Sequence, residues 1–500
     1  MRRAVTGVTV LAGLALVVVA PLPVVLGANR LAGFAVAAVG GWLLVGRVGV
    51  VDLASGASVG VGAYLGGVLA GLTGLPSAVG LVTGAVAGAV LSGVNAAVAG
   101  RVGRTAGALT SLALGGAVVA VLRTWSGAGG VAGFHAVPLL TGSDRGDLVA
   151  ALACLAGAAA LVARAARGRT VAAAGVAAAA PVLSESLGRR PVRDTAVAGA
   201  IAGAVLGLAG ALQAFLVGSV APDAYGLGLS AALGLAALLG GRAPLGPVVG
   251  ALLLWGPGVV WPLVPVIGDG PVLLATGIVG LVVLALRGGR PLLPHRPPAP
   301  APAPEEGDAA APPVARCRAR LDVAGAVLPA GEVTFAVEPG EIVVLAGPNG
   351  AGKSTLLARI AGQLPAGGEV TFAGAAPPRG ARQRARAGVA RTWQRPPGVH
   401  PHDAELVALG TPQDRAAAAW ARGVLGHHAA TDAGAQLVRL VGRRPAIALL
   451  DEPAAALPVE LVGRVLRGLA EGGAAVLVVE HRPEALALAD RVVPLGGGPA

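Results

Sequence analysis

The stretch Leu345–Leu357, LAGPNGAGKSTLL, has the residue types and spacing to grip a polyphosphate. Gly347, Gly350, Gly352, Lys353 and Ser354 fill the pattern G-x-x-x-x-G-K-[ST], and Pro348, Asn349, Ala351 and Thr355 complete the loop. Glycines let the backbone wrap its N–H groups around phosphate oxygens, and the helix start that follows adds the positive end of its dipole. Lys353 supplies a compact ammonium for the terminal phosphates. It is the one lysine among 38 Lys and Arg residues. Arginine is planar, longer and forked, and does not fit the same nest. A chain that uses arginine at every other basic position thus keeps lysine where geometry demands it. A chance match in a chain with 80 glycines is the competing explanation. The order strand, loop, helix weighs against it, with Ile342 to Leu345 as the strand and Ser354 onward in helical spacing.

Three further groups belong to the same chemistry. In PAIALLDEP, the apolar run Ile447–Leu450 ends at Asp451 and Glu452. An Asp at a buried strand end can hold the water shell of Mg²⁺, and the adjacent Glu can polarise an attacking water. Alone, the pair reads as two solvated acids; with a phosphate loop about 100 residues upstream, the functional reading dominates. In AAVLVVEHRPE, the strand Ala475–Val479 leads to His481, placed to meet a γ-phosphate and the attacking water. A lone His is usually structural, so its weight comes from order and spacing. In GVARTWQ, Gln394 can reach Mg²⁺ and the water, though a Gln alone is weak evidence.

These groups need a sheet to carry them, and the rest of the chain is of a different kind. The chain as a whole is 55% hydrophobic, 13% charged and 3% aromatic, with mean hydropathy +0.74. Soluble domains carry about 25% charged residues, so much of this chain must sit in lipid. Its apolar residues are mainly Ala, Val, Leu and Gly, which suit closely packed membrane helices. Apolar stretches run over 5–27, 31–46, 48–72, 77–99, 105–123, 147–163, 194–218, 226–240, 245–262 and 271–287. Arg2 and Arg3 place the N-terminus in the cytoplasm. Alternation then puts Arg47, Arg101, Arg104, the six arginines between Arg164 and Arg193, Arg242 and the Arg287–Arg296 region on the same side. The first stretch read instead as a secretory leader would be removed and would break that parity. The net charge of +12 reflects such anchors; there is no basic stripe interleaved with aromatics, and nucleic acid is not an expected partner. Cys154 and Cys317 form no metal or redox motif. The Pro/Ala-rich segment 288–320 reads as a semi-rigid linker.

Taken in order, GPNGAGKST, GVARTWQ, LLDEPAAAL and VVEHR resemble the ATP-binding subunit of ABC transporters, in the branch serving branched-chain amino-acid import. The membrane half agrees. GVVDLASGASVGVGAYLGGVLAG is similar to that family's permease motif, and residues 210–254 resemble its late spans and connecting loop. The resemblance implies a polytopic all-α membrane domain of about ten helices, followed by an α/β P-loop ABC-type ATPase domain. The expected division is permease 1–290, linker 291–318 and ATP-binding domain 319–500. It implies that Gly347 to Thr355 bind the phosphates of ATP. Ser354, Gln394 and Asp451 would hold Mg²⁺, Glu452 would act as general base, and His481 would be the γ-phosphate switch. It also places the helix that docks on the ATPase within Val171–Gly188. The implied partners are a second permease, a second ATPase and an extracytoplasmic solute-binding protein, at the cytoplasmic membrane with the ATPase inside.

The sequence departs from that family at the signature, usually LSGGQ, which completes the opposite subunit's site. The best counterpart is TDAGAQ, Thr431–Gln436, matching at Gly434 and Gln436 only, with Asp432 adding negative charge. The stretch from Gln394 to Asp451 is short, and the usual adenine-stacking aromatic is not evident before Glu341. A signature serves the partner's nucleotide, so these losses imply a heteromeric assembly in which a partner lends an intact one. A regulatory or scaffolding protein that binds nucleotide with little hydrolysis, and an exporter of the same domain order, are the alternatives. Asp52 in a Gly/Ser-rich span is either a functional acid or the partner of Arg47. Gly56, Gly60 and Gly62 suit close packing.

Overall fold

A computed structural model describes residues 20–241, 243, 246–256, 278, 280, 282, 285, 312–365, 367–394, 399 and 401–495. The chain forms two compact units, Met1–Ala178 with Val192–Arg296, and Ala179–Pro191 with Pro297–Ala500.

In the first unit, seven helices are long and apolar enough to cross a membrane: Leu22–Val48, Ser55–Thr73, Ser77–Val102, Thr105–Thr124, Asp144–Ala166, Pro191–Val217 and Pro222–Gly240. They answer one for one to the expected stretches from 31–46 to 226–240. The expected span 5–27 lies mostly outside the described residues, and its last residues belong to the Leu22–Val48 helix. The expected spans 245–262 and 271–287 are described over the short helix Gly246–Trp255 and at a few positions beyond.

Helices this rich in glycine can bring backbone against backbone. A Cβ on Gly207 would collide with the carbonyl oxygen of Gly84, and one on Gly88 with that of Gly203. Ser77–Val102 and Pro191–Val217 therefore meet along a seam of glycine backbone and small side chains, Ala96, Ser92 and Ala211 among them. Gly56, Gly60 and Gly62 serve the same end, since a Cβ on Gly56 would stand 2.7 Å from the Gly226 oxygen. Gly207→Val should cost about 1–3 kcal/mol by overpacking, lowering the melting temperature of the detergent-solubilised protein. Gly157→Ala, on a helix face open to space, should not. Equal melting temperatures for both variants would remove the seam.

The chain breaks between Val48 and Ser55. There the Asp52 carboxylate, 4% exposed, accepts from Asn95 Nδ2 and the Ala54 N–H, both at 2.9 Å through Oδ1. Arg47 Nε donates instead to the Ala166 carbonyl at 3.1 Å. Of the two readings of Asp52, the ion pair with Arg47 gives way to a hydrogen bond across to Ser77–Val102. Ser58 and Ser92 share a bond of 2.8 Å on the same buried face. A cavity of about 530 Å³ lies nearby, bounded by Leu53, Ala57, Arg123, Tyr225 and Ser230 among others.

The second unit follows from its sequence period. IVVLA, IALLD and AVLVV are continuous apolar runs, as a strand covered on both faces requires. They form the centre of a five-stranded parallel sheet. We number its strands β3 (Ile342–Ala346), β5 (Val389–Arg391), β6 (Ile447–Asp451), β7 (Ala475–Val479) and β8 (Arg491–Pro494), in the order β5-β6-β7-β3-β8. A separate antiparallel sheet holds β1 (Leu321–Leu328), β2 (Gly331–Val337) and β4 (Glu369–Phe372) in the order β2-β1-β4. Pro401–Ala408, Pro412–Leu425 and Asp432–Gly442 make the helical part between β5 and β6. Thr411 caps Pro412–Leu425 in a reciprocal capping box with Asp414. Burial alone would raise the Asp414 carboxyl, but hydrogen bonds from Arg316 Nη2 at 2.7 Å and from Thr411 outweigh it and hold it below the usual carboxylate range.

Candidate functional site

A parallel sheet sends every strand's C-terminal end to one edge, where loops can converge on a ligand. Here four such ends carry the predicted residues. β3 runs into the phosphate loop, β6 ends at Asp451, β7 leads to His481, and β5 leads to Gln394.

The loop is shaped for an anion. Gly350 and Gly352 hold φ of +87° and +95°, conformations that a side chain disfavours. Lys353 begins the helix Lys353–Ile360 and is 7% exposed. Its Nζ donates to the carbonyls of Gly347 at 2.6 Å and Pro348 at 3.0 Å. The ammonium is thus folded back over its own loop. Ser354 Oγ donates to Asp451 Oδ1 at 3.0 Å, so the hydroxyl after the lysine and the acid closing β6 meet across 97 residues.

Glu452, Gln394 and His481 gather beside them. Gln394 Nε2 donates to Glu452 Oε2 at 2.7 Å, and His481 Nδ1 lies 3.9 Å from Glu452 Oε1. Glu452 adopts φ +48°, ψ +54°, a left-handed conformation that costs a non-glycine residue about 1–3 kcal/mol. Its N–H bonds the Val479 carbonyl at 3.0 Å, which ties that conformation to the end of β7.

Three residues outside the predicted set also join the site. Arg391 Nη2 donates to Asp451 Oδ2 at 3.2 Å, with both side chains almost fully buried. Burial pulls the Arg391 guanidinium below its ordinary value, and Asp451 offsets part of that. Gln363 accepts from Arg391 Nη1 at 2.6 Å. Glu480, 2% exposed, accepts from the Ala454 N–H at 2.8 Å and so braces the turn after Glu452. Arg391 stands three positions before Gln394 in GVARTWQ, which was its one available signal.

Residues 24–285, just over half of the chain, match the family described as branched-chain amino acid transport system / permease component. Residues 330–455 match the ABC transporter family. The chain belongs to this permease family and carries an ABC transporter domain. It is similar, at 39% identity over 199 residues, to a hemin import ATP-binding protein of Nocardia farcinica, covering 33% of this chain and 67% of that protein. It is similar at 34% identity over 213 residues to a ribose import ATP-binding protein of Streptomyces avermitilis, covering 35% of this chain and 40% of that one. Across these and the other first relatives, the chain spans from 37% to 69% of the curated protein's length.

The structure describes two further segments singled out by the sequence. The segment Val171–Gly188, within which the docking helix is expected, holds the end of one helix and the whole of a second. Arg169–Ala179 buries Val171 and Ala174 in the core of the permease unit. The separate helix Pro181–Ser186 belongs to the second unit, where Arg443 Nη1 donates to the Ser186 carbonyl at 2.7 Å. Pro181, which cannot donate to a preceding turn, marks the division. The signature counterpart starts the helix Asp432–Gly442, with Thr431 as cap accepting from the Gly434 N–H at 3.1 Å. Both matching residues have duties inside this chain. A Cβ on Gly434 would collide with the His428 carbonyl. Gln436 accepts from the Trp393 N–H at 2.9 Å and donates to its carbonyl at 3.1 Å.

Proposed function

We propose that this chain combines permease and ATPase in one component of an ATP-driven importer. It moves branched-chain amino acids or a similar small polar solute across the cytoplasmic membrane, with the ATPase on the inner side. The observation that carries the reading is the joining, in one chain, of a branched-chain-type permease to a phosphate loop that converges with Asp451, Glu452 and His481.

The donor chemistry suits Mg²⁺, because Ser354 Oγ and the Asp451 carboxylate are hard oxygen donors already within 3.0 Å of each other. Gln394 is the third oxygen donor assigned there. When bound with ATP, Mg²⁺ would neutralise charge on the phosphate oxygens. The loop N–H groups between Gly347 and Thr355, Pro348 having none, hold those oxygens, and Lys353 exchanges its two carbonyl partners for them. Glu452 accepts the proton of the water that attacks the γ-phosphorus, as the bond to the β,γ-bridging oxygen breaks and ADP leaves. Gln394 orients Glu452, and His481 approaches the γ-phosphate.

Partners complete the assembly: a second permease, a second ATPase and an extracytoplasmic solute-binding protein. Thr431 already satisfies an amide at the start of the signature helix, and Asp432 sits in its first turn. Both features disfavour a phosphate there, which supports a heteromer in which the partner's signature serves this chain's nucleotide. The same observation favours a second reading, a regulatory subunit that binds nucleotide and turns over little. Proteoliposomes holding the co-purified complex should accumulate labelled leucine, isoleucine or valine only with ATP. ATP binding without ATP-dependent uptake of any of the three would leave the regulatory reading.

A further inference from the structure

The hydrogen bonds of Asp451 continue away from the nucleotide loop. Arg391 bonds Asp451 Oδ2 through Nη2 and Gln363 Oε1 through Nη1, at 3.2 and 2.6 Å. Gln363 Nε2 in turn donates to Ser186 Oγ at 2.9 Å. Ser186 belongs to the helix Pro181–Ser186, which the chain reaches from one permease helix and leaves for another. Arg443 fixes that helix, donating to the Ser186 carbonyl and to the Ala385 carbonyl at 2.7 Å each. Three side chains, Ser186, Gln363 and Arg391, thus connect the 181–188 segment to the acid assigned to Mg²⁺.

We infer that Arg391 is a positioning residue that competes with Mg²⁺ for Asp451, and that Ser186 sets the outcome through Gln363. The inference rests on the proposed reading of Ser354 and Asp451 as the Mg²⁺ site. One carboxylate cannot serve a guanidinium and a divalent cation equally, because the two like charges repel where little water screens them. Gln363 bonds the guanidinium alongside Asp451 and is the partner it would keep once Mg²⁺ took the carboxylate; Ser186 orients the Gln363 amide so that Oε1 faces Arg391. Arg391 Nε is buried without a hydrogen-bond partner. Arg391 also borders a small cavity of about 20 Å³ with Leu183 and Ser186, so its side towards the segment is not fully packed. Coupling of this kind is reciprocal: whatever strengthens the bond that Arg391 donates to Gln363 strengthens Mg²⁺ binding, and Mg²⁺ binding reports back on the 181–188 segment.

The test uses the full chain in nanodiscs and a fluorescent ATP analogue. Its readout is the affinity measured with Mg²⁺ divided by the affinity measured in EDTA. A residue that merely supports the fold moves both affinities alike and leaves the ratio unchanged. Arg391→Gln should raise the ratio about fivefold or more. Ser186→Ala should lower it about two- to tenfold, the range for one lost hydrogen bond. In the double variant, Ser186→Ala should have no further effect. Gln363→Leu, which leaves the charge of Arg391 in place, should act like Ser186→Ala and serves if Arg391→Gln does not fold. Hydrogen exchange over 181–188 should respond to Mg²⁺ with ATP in the wild type and not in Arg391→Gln. A ratio lowered by Arg391→Gln, additive effects in the double variant, or an equal exchange response in both proteins would overturn the inference. Loss of ATP binding by the wild type itself would instead remove the nucleotide site.

Discussion

Lys353→Arg is expected to weaken ATP binding by about 100-fold or more while the domain stays folded. The substitution keeps the charge, so the expectation rests on shape. Lys353 is 7% exposed, and its Nζ lies 2.6 and 3.0 Å from the carbonyls of Gly347 and Pro348. A planar guanidinium is larger and directs its N–H groups in a fixed fork. It cannot turn within that loop from carbonyls to phosphate oxygens as an ammonium can. Each charge-assisted bond to phosphate contributes about 1.5–3 kcal/mol, and losing one or two with some overpacking gives the stated factor. Titration of the purified chain with a fluorescent ATP analogue checks affinity, and circular dichroism checks the fold. Affinity equal to wild type would mean that charge alone matters at this position. The arginine bias of the rest of the chain would then leave its one lysine unexplained.

Glu452→Gln is expected to lower ATP turnover in the assembled complex by about 10²–10⁴-fold, the range for removal of a general base. ATP affinity should change by less than about threefold, since the phosphate contacts lie on the loop and not on residue 452. The side-chain shape is kept, and a Gln oxygen can still accept from Gln394 Nε2, now at 2.7 Å from Glu452 Oε2. What disappears is the capacity to take a proton from water. Phosphate release against time, with binding measured in parallel, separates the two effects. Unchanged turnover would remove Glu452 as the base. Equal losses of turnover and binding would make its role structural, through the strained turn that it occupies at φ +48°.

Most of the candidate site was legible because its parts are local. The loop 347–355 is contiguous, and the strands before Asp451 and His481 are unbroken apolar runs whose periodicity cannot be mistaken for a surface helix. The structure gives Ile447–Asp451 and Ala475–Val479 as strands, within one residue of the apolar runs. Seven membrane helices were legible for the same reason, since about 20 apolar residues without charge have few other uses. The 171–188 segment was harder. Its composition is uniformly small and apolar, so the division at Pro181 shows in contacts rather than in pattern.

By itself, the sequence determined which residues could hold a polyphosphate, the order in which they occur, and the presence of a membrane-embedded half. These are properties of short windows, where steric preference and hydrophobic period act over a few residues. Only the tertiary structure decided that Arg391 pairs with Asp451, that Asn95 rather than Arg47 answers Asp52, and that Gln363 reaches Ser186 across 177 residues. Such pairings depend on strand order and on which helices touch. Arginine, asparagine and glutamine each have many acceptable partners, and the packing of the chain selects among them.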